Sequence, residues 1–244
     1  MIEVRGLCVA YGAGRRQVEA LSQVNLEVAE GEFVAVVGPS GCGKSTLLFV
    51  LDGLVRPTAG TVRIGGEEVR GIRRDVALIL QDAGLLPWKT VQQNAELTLR
   101  IQGRRANVRE VLEQLGLSGF ERRYPGELSE GMRRRVGIAR ALALHPRVLL
   151  MDEPMANLDS ITRERIQNLI LELWYRLEFT AVLVTHDIEE AVFLGQRVVV
   201  LGPRPGKVVE VLENPGMGEP EYRDTAEFRE RVHHLRELLV GSAG

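Results

Sequence analysis

Cysteine and histidine are scarce in this 244-residue chain, with two and four residues respectively. Cys8 lies in an alternating apolar stretch and Cys42 in a glycine-rich turn, so the pair is not placed to staple a fold and suits a reducing compartment. The histidines have no metal-ligand spacing to one another or to the cysteines, which leaves no zinc-type centre to argue for. Excess charge is lacking too. Lys and Arg number 31 against 33 Asp and Glu, and a net charge of −2 gives no electrostatic case for nucleic acid as a partner. No apolar run approaches the roughly 18 residues of a membrane span, and the N-terminus lacks the charged-then-apolar order of a secretion signal. The expectation is a cytoplasmic chain, soluble by itself. Its length allows one large domain or a core with an inserted subdomain, and 45% hydrophobic with 26% charged residues is ordinary for a globular protein.

Glycine is plentiful, and its placement carries the first chemistry. Gly38-Pro39-Ser40-Gly41-Cys42-Gly43-Lys44-Ser45-Thr46 fits the phosphate-cradling pattern of Gly, four residues, Gly, Lys, then Ser or Thr. Phe33-Val34-Ala35-Val36-Val37 before it is a solid apolar run, as a parallel strand buried on both faces requires. Leu47-Leu48-Phe49-Val50-Leu51 after it suits a helix packed on that strand. Glycines let successive backbone N–H groups point into one concavity, and the helix start adds the positive end of its dipole. Lys44 is expected to reach the outer phosphates and Ser45 to ligate magnesium. The chain therefore binds a nucleoside triphosphate on this reading.

Around the loop, residues 2–9 alternate as a strand, Leu21, Val24, Leu26 and Val28 mark a second, and residues 61–64 and 68–72 read as short strands. From about Asp82 the pattern turns helical. Val91, Asn94, Leu97, Leu99 and Ile101 share one period, Val108, Val111, Leu112 and Leu115 another, and Ser129 looks like an N-cap. This strandless block is expected to be a helical subdomain inserted between strands. Pro215-Gly216-Met217-Gly218 reads as a flexible joint before a tail whose Phe228, Val232, Leu235, Leu238 and Leu239 form one helical stripe, more often core than partner surface. Four buried strands end in chemically capable residues: at the phosphate loop, at Gln81, at Asp152-Glu153 and at Thr185-His186. Ligands of parallel sheets sit off the carboxyl edge of the strands, so all four endings are expected to face one nucleotide. Asp152 would hold the magnesium, Glu153 polarise the attacking water, and His186 contact the γ-phosphate and help position both. Gln81 would sense magnesium and the water. Tyr11 reads equally as a turn aromatic or as a ring stacked on a base.

The ordered set of the phosphate loop, Gln81, Leu128-Ser129-Glu130-Gly131-Met132, Asp152-Glu153, Ala156-Asn157-Leu158-Asp159 and His186 resembles the ATPase subunit of ABC transporters, over residues 1–215. A finer likeness is to the importer ATPases for nitrate, sulfonates and taurine. It rests on Leu85-Leu86-Pro87-Trp88, Tyr124-Pro125, Met132, His186-Asp187-Ile188-Glu189-Glu190-Ala191-Val192, Val198-Val199-Val200-Leu201 and Pro203-Arg204-Pro205-Gly206. The resemblance implies an α/β fold: a RecA-like P-loop NTPase core with an antiparallel β subdomain (residues 1–84 and 144–215), a helical signature subdomain (85–143) and a helical tail (216–244). It implies ATP and Mg2+ as ligands, with Tyr11 on adenine. It also implies a head-to-tail homodimer in which each ATP lies between one copy's phosphate loop and the other's Ser129 and Gly131, with Asp159 linking the two sites. The physics agrees, since a Ser-capped helix start is a ready γ-phosphate site. Further implied are permease subunits docking near residues 85–88, an extracytoplasmic solute-binding protein, and a place on the inner face of the cell membrane. Trp88 reads alternatively as plain core packing. The other readings are a nontransport ABC ATPase or a regulatory nucleotide-binding subunit with weak turnover. Two residues depart from the family pattern: Glu130 where Gly is usual and Arg134 where Gln is frequent. A carboxylate there brings negative charge toward the γ-phosphate, so Glu130→Gly is expected to tighten ATP-dependent dimerisation.

Overall fold

The computed structural model describes residues 1–12, 14 and 17–241. In chain order the elements are strands β1 (Ile2–Tyr11), β2 (Val18–Val28) and β3 (Phe33–Val37), helix α1 (Lys44–Leu51), and strands β4 (Ala59–Ile64), β5 (Glu67–Glu68) and β6 (Val76–Ile79). Helices α2 (Val91–Ala95), α3 (Leu97–Ile101), α4 (Arg109–Gln114) and α5 (Glu130–Leu142) follow, then strand β7 (Val148–Asp152) and helix α6 (Ser160–Leu177). The chain continues through strand β8 (Thr180–Thr185), helix α7 (Ile188–Leu194), strands β9 (Arg197–Leu201) and β10 (Val208–Glu213), and helix α8 (Ala226–Gly241). These elements form two compact units, Met1–Arg73 with Glu178–Gly244, and Arg74–Leu177.

In the first unit an antiparallel sheet has the order β2-β1-β4-β5. Ile2, Val4, Leu7 and Val9 are its buried face on β1, and the phase slips at Gly6, where the pairing with β2 shifts register. Beyond β5 the expected strand at 68–72 stops after Glu68. Val69 still donates to the Val62 carbonyl, but residues 70–72 are exposed and unpaired in any ladder. β3 runs parallel between β8 and β9, with Val34 opposite Val182 on one side and Arg197 on the other. All five β3 residues and all six of β8 are buried, so their unbroken apolar runs reflect cover on both faces. β10 pairs antiparallel with β9 and has no fully buried residue, as suits an edge.

The Pro215–Gly218 stretch is not a loose joint. Asn214 is buried, donates to the carbonyls of Val192 (2.6 Å) and Gly195 (2.7 Å), and accepts from the Tyr222 hydroxyl at 2.5 Å. Met217 and Tyr222 are buried beside it, and Arg223 stacks over the Phe193 ring 3.2 Å from its centroid. Proline and glycine there make a tight corner around a satisfied polar core, which composition alone misreads as slack. Phe228, Val232 and Leu235 of α8 are buried, so much of the tail's apolar stripe is core. Residues 242–244 of the expected tail lie outside the described residues.

In the second unit β6 and β7 pair in parallel, with Val76 opposite Val148. Only helices occur between them among the described residues, and the expected segment 85–143 falls within this unit. Thr90 and Gln93 form a reciprocal capping box on α2: the Gln93 N–H donates to the Thr90 hydroxyl at 3.3 Å, and the Thr90 N–H to the Gln93 amide oxygen at 3.1 Å. The helical period over 91–101 breaks at Glu96 into α2 and α3. Ile166, Ile170, Leu173 and Trp174 give α6 its buried face.

One buried carboxylate in the first unit gives a test of this packing. Asp52 ends α1, is 8% exposed, and its backbone N–H donates to the Leu48 carbonyl at 2.9 Å. Burial pushes its carboxyl from 3.8 to about 6. The folded state then holds the proton more tightly than the unfolded chain, so stability falls as pH rises through this window and the full cost is present above it. Such a shift corresponds to at most about 3 kcal/mol, less whatever residual solvent contact screens. Asp52→Asn is expected to raise Tm by roughly 2–8 °C at pH 8 and to leave it nearly unchanged at pH 4, read by thermal melts of both proteins. An equal shift at both pH values contradicts this.

Candidate functional site

The phosphate loop lies in the first unit and joins β3 to α1. Gly43 stands at the N-cap of α1 with φ 106°, no side chain caps the helix, and the first turn carries no acidic residue. A helix start of this kind presents backbone N–H groups and a positive dipole end to an anion. Lys44, 6% exposed, folds its ammonium onto the loop and donates to the carbonyls of Gly38 (2.8 Å) and Pro39 (3.2 Å). The loop is pressed from behind. A Cβ on Gly38 would lie 2.7 Å from both the Cys42 sulfur and the Leu201 carbonyl oxygen; one on Gly43 would lie 2.7 Å from the Ala20 carbonyl oxygen and from Leu21 Cδ2. Gly41, with φ 77°, has no atom within 4 Å of such a Cβ. Cys42 is a packing residue: it is buried, and burial pushes its thiol pKa up against the opposing pull of Lys44. Pro39, Ser40, Ser45 and Thr46 complete the loop with partial or full exposure.

Three further features of this unit bear on the loop. Tyr11, at the end of β1, donates from its hydroxyl to Thr46 Oγ1 at 3.3 Å, which brings its half-exposed ring to the start of α1. His186 follows the last residue of β8 and is exposed, which leaves its ring outside the core. Gly206 exchanges backbone hydrogen bonds with β2, donating to Ala20 and accepting from Ser22. The Pro203-Arg204-Pro205-Gly206 stretch thus braces the strand that crowds Gly43, a contact invisible in sequence.

The second unit holds the other expected residues. Gln81 is exposed two residues beyond β6, and Asp152 closes β7 as a buried carboxylate. Glu153 comes next with φ 45°, a left-handed conformation that a glutamate adopts only under constraint, and Asn157 at φ 63° repeats it. Asp159 accepts from the Thr162 N–H at 2.9 Å, and bonding to Thr162 holds its carboxyl below the usual range. Ser129 caps α5, its hydroxyl accepting from the Met132 N–H at 3.3 Å. A Cβ on Gly131 would lie 2.7 Å from Thr162 Cγ2, so the starts of α5 and α6 meet there and bring Ser129, Gly131 and Asp159 into one neighbourhood.

Sequence reasoning missed two clamps on the loop between β6 and α2. Asn94 is fully buried; its side chain accepts from the Leu86 N–H (2.8 Å) and donates to the carbonyls of Leu86 (3.1 Å), Lys89 (2.9 Å) and Thr90 (3.0 Å). Arg140 donates to the carbonyls of Gly84 (2.8 Å) and Ala83 (2.5 Å). The signal for Asn94 was an amide sitting at an apolar position of a helical period. Held this way, Trp88 stands 70% exposed, which excludes its reading as core packing.

For magnesium, no group of three or more His, Cys, Asp or Glu residues with ligand geometry occurs among the described residues. The expected donors Ser45, Gln81 and Asp152 are one hydroxyl, one amide and one carboxylate, which suits a hard ion that takes its remaining oxygens from phosphates and water.

The chain matches the family model described as ABC transporter over residues 21–156. It is 45% identical over 212 residues to the nitrate import ATP-binding protein of Synechocystis sp., covering 85% of this chain and 80% of that protein. It is 39% identical over 231 residues to the aliphatic sulfonates import ATP-binding protein of Bacillus cereus, covering 94% and 92%. A solved ATP-binding cassette, dimeric in a post-hydrolysis state with ADP and Pi, superposes with a TM-score of 0.78 at 35% identity, over 89% of this chain and all of that one.

The crowding behind the loop predicts a graded glycine series. Gly43→Ala is expected to abolish binding of a fluorescent ATP analogue, because the methyl meets a backbone carbonyl. Gly41→Ala, strained only in φ by about 1–2 kcal/mol, is expected to keep binding within roughly thirtyfold. Equal losses in a titration of the two variants contradict the cradle as described.

Proposed function

The chain belongs to the ABC transporter family, and from that membership we propose that it is the ATP-hydrolysing subunit of an importer for a small oxyanion or sulfonate, acting as a head-to-tail pair of identical copies. The observation that carries this reading is the uncapped start of α1, pressed into a cradle with the Lys44 ammonium at its rim. The near full-length match to import ATP-binding proteins supports the transport role.

In the proposed mechanism the loop N–H groups and Lys44 hold the β- and γ-phosphates of ATP, and the Tyr11 ring lies on adenine. Ser45, Gln81 and Asp152 are the residues that would hold magnesium, which supplies charge neutralisation across the phosphate oxygens. The second copy closes the γ-phosphate with the Ser129 hydroxyl and the N–H groups of its α5 start, Gly131 included. Glu153 takes the proton of a water that attacks the γ-phosphorus while His186 orients it; the bond to ADP breaks and phosphate leaves. The constrained backbone of Glu153 suits such a post, since a fixed carboxylate loses little on reaching the aligned geometry. Asp159, beside the Ser129 helix, connects the two sites of the pair.

Coupling to the membrane falls to residues 85–88. The Asn94 and Arg140 clamps hold this loop and leave Trp88 bare, a rigid apolar post for a short helix of a permease subunit. No helix of the described residues is long and apolar enough to cross a membrane, and in this proposal the span is supplied by the permease subunits. The chain then works peripherally on the cytoplasmic face, with an extracytoplasmic binding protein delivering the solute.

Glu153→Gln is expected to lower ATP turnover by about 10²–10⁴-fold while binding of ATP stays within a few fold, measured by phosphate release and by nucleotide titration. Turnover near the parent value would remove Glu153 from the reaction, and a parent that binds ATP without releasing phosphate would make the chain a binding module.

A further inference from the structure

Glu130 and Arg134, the two departures from the family pattern, form a single structural feature. Arg134 stands one helical turn after Glu130 on α5, and its side chain is 5% exposed. Its Nη2 donates to the Ala156 carbonyl at 3.0 Å, while Nε and Nη1 are buried with no hydrogen-bond partner. Idle donors on a desolvated cation are expensive unless nearby charge compensates. Burial pulls the guanidinium pKa down, and Glu130 and Asp82 oppose that pull. Glu130 Oε1 lies 3.7 Å from Nε, and its other oxygen accepts from Arg133 at 2.5 Å and 3.1 Å. Ala156 belongs to the turn that begins at Glu153, whose carbonyl accepts the Ala156 N–H at 3.1 Å, and Asp82 follows Gln81 directly. One buried cation is thus shared by two segments of the second unit, the Ser129 helix start and the turn after Glu153.

We propose that Arg134 is a positioning residue of the ATPase reaction, a buried counter-charge that neutralises Glu130 so that the α5 start still accepts the triphosphate held by a second copy. The same guanidinium fixes the turn after Glu153 through the Ala156 carbonyl. The inference rests on the two-copy reading above. Arg133 bonds Glu130 from the solvent side, where water screens the pair, so repulsion of the γ-phosphate by this carboxylate is opposed more strongly by the desolvated Arg134 cation than by Arg133. On this proposal the outcome differs from the one expected from bare charge. Glu130→Gly removes the near partner of a buried guanidinium, so it does not tighten the dimer.

The test uses the full chain with Glu153→Gln, which holds ATP without turnover, and reads ATP-driven dimerisation by sedimentation. The parent dimerises with ATP. Adding Arg134→Gln raises the ATP concentration needed by about tenfold, and adding Glu130→Gly to that variant brings it back to within about threefold. A purely structural role for Arg134 gives no such rescue, and its absence with the parent still dimerising overturns this inference alone. A parent that stays monomeric in ATP overturns the two-copy reading and the inference with it. Should Arg134→Gln fail to fold, Glu130→Gly alone decides, since Glu130 is solvent-exposed: unchanged or weaker dimerisation is expected, and tightening by threefold or more overturns the proposal.

Discussion

An α-helix that begins without a capping side chain leaves its first N–H groups to other partners, and α1 has no side-chain cap and no acidic residue in its first turn. Everything near the loop works to keep that start bare and rigid. The buried strand β3 delivers the chain to the turn, and Ala20, Leu21, Leu201 and the Cys42 sulfur crowd its rear so closely that Gly38 and Gly43 have no room for a side chain. The Lys44 ammonium is parked on the loop's own carbonyls, an arrangement an incoming phosphate can replace with a stronger charge-assisted contact. The crowding holds the loop to one shape, which lowers the ordering cost of binding an anion.

The start of α5 solves the same electrostatic problem differently. Ser129 caps it, Glu130 adds a carboxylate that favours the helix, and Arg133 and Arg134 absorb that charge from outside and beneath. On the proposed two-copy reading, this helix end must stabilise itself in one copy and receive an anion from another, which are opposing demands. The charge pair reconciles them, with Arg134 tying the result to the turn after the proposed water-activating glutamate.

Much of this was legible in the chain because its causes are local. The phosphate loop, the strand tips at Asp152 and Thr185, and the Ser129 cap depend on neighbours within a few residues, and all appear where periodicity and capping chemistry put them. What escaped depends on partners far along the chain. Asn94 looked like one more position of an apolar stripe, yet it clamps the loop that exposes Trp88. Gly206 braces β2 from nearly two hundred residues away, and Arg134 reaches a carbonyl 22 residues on. The corner at residues 215–218 failed for the opposite reason: glycine and proline signal slack in sequence, while Asn214 and Tyr222 pack it tight.

A cage shared between two copies differs from a site complete in one by which residues must reside on the same molecule. Lys44→Ala and Ser129→Arg, each expected to be inactive alone, can be mixed at equal amounts and assayed for ATP hydrolysis. In the mixed pair, one interface joins an intact phosphate loop to an intact Ser129 start, so turnover returns on mixing. A mixture as inert as its two components would contradict the shared cage.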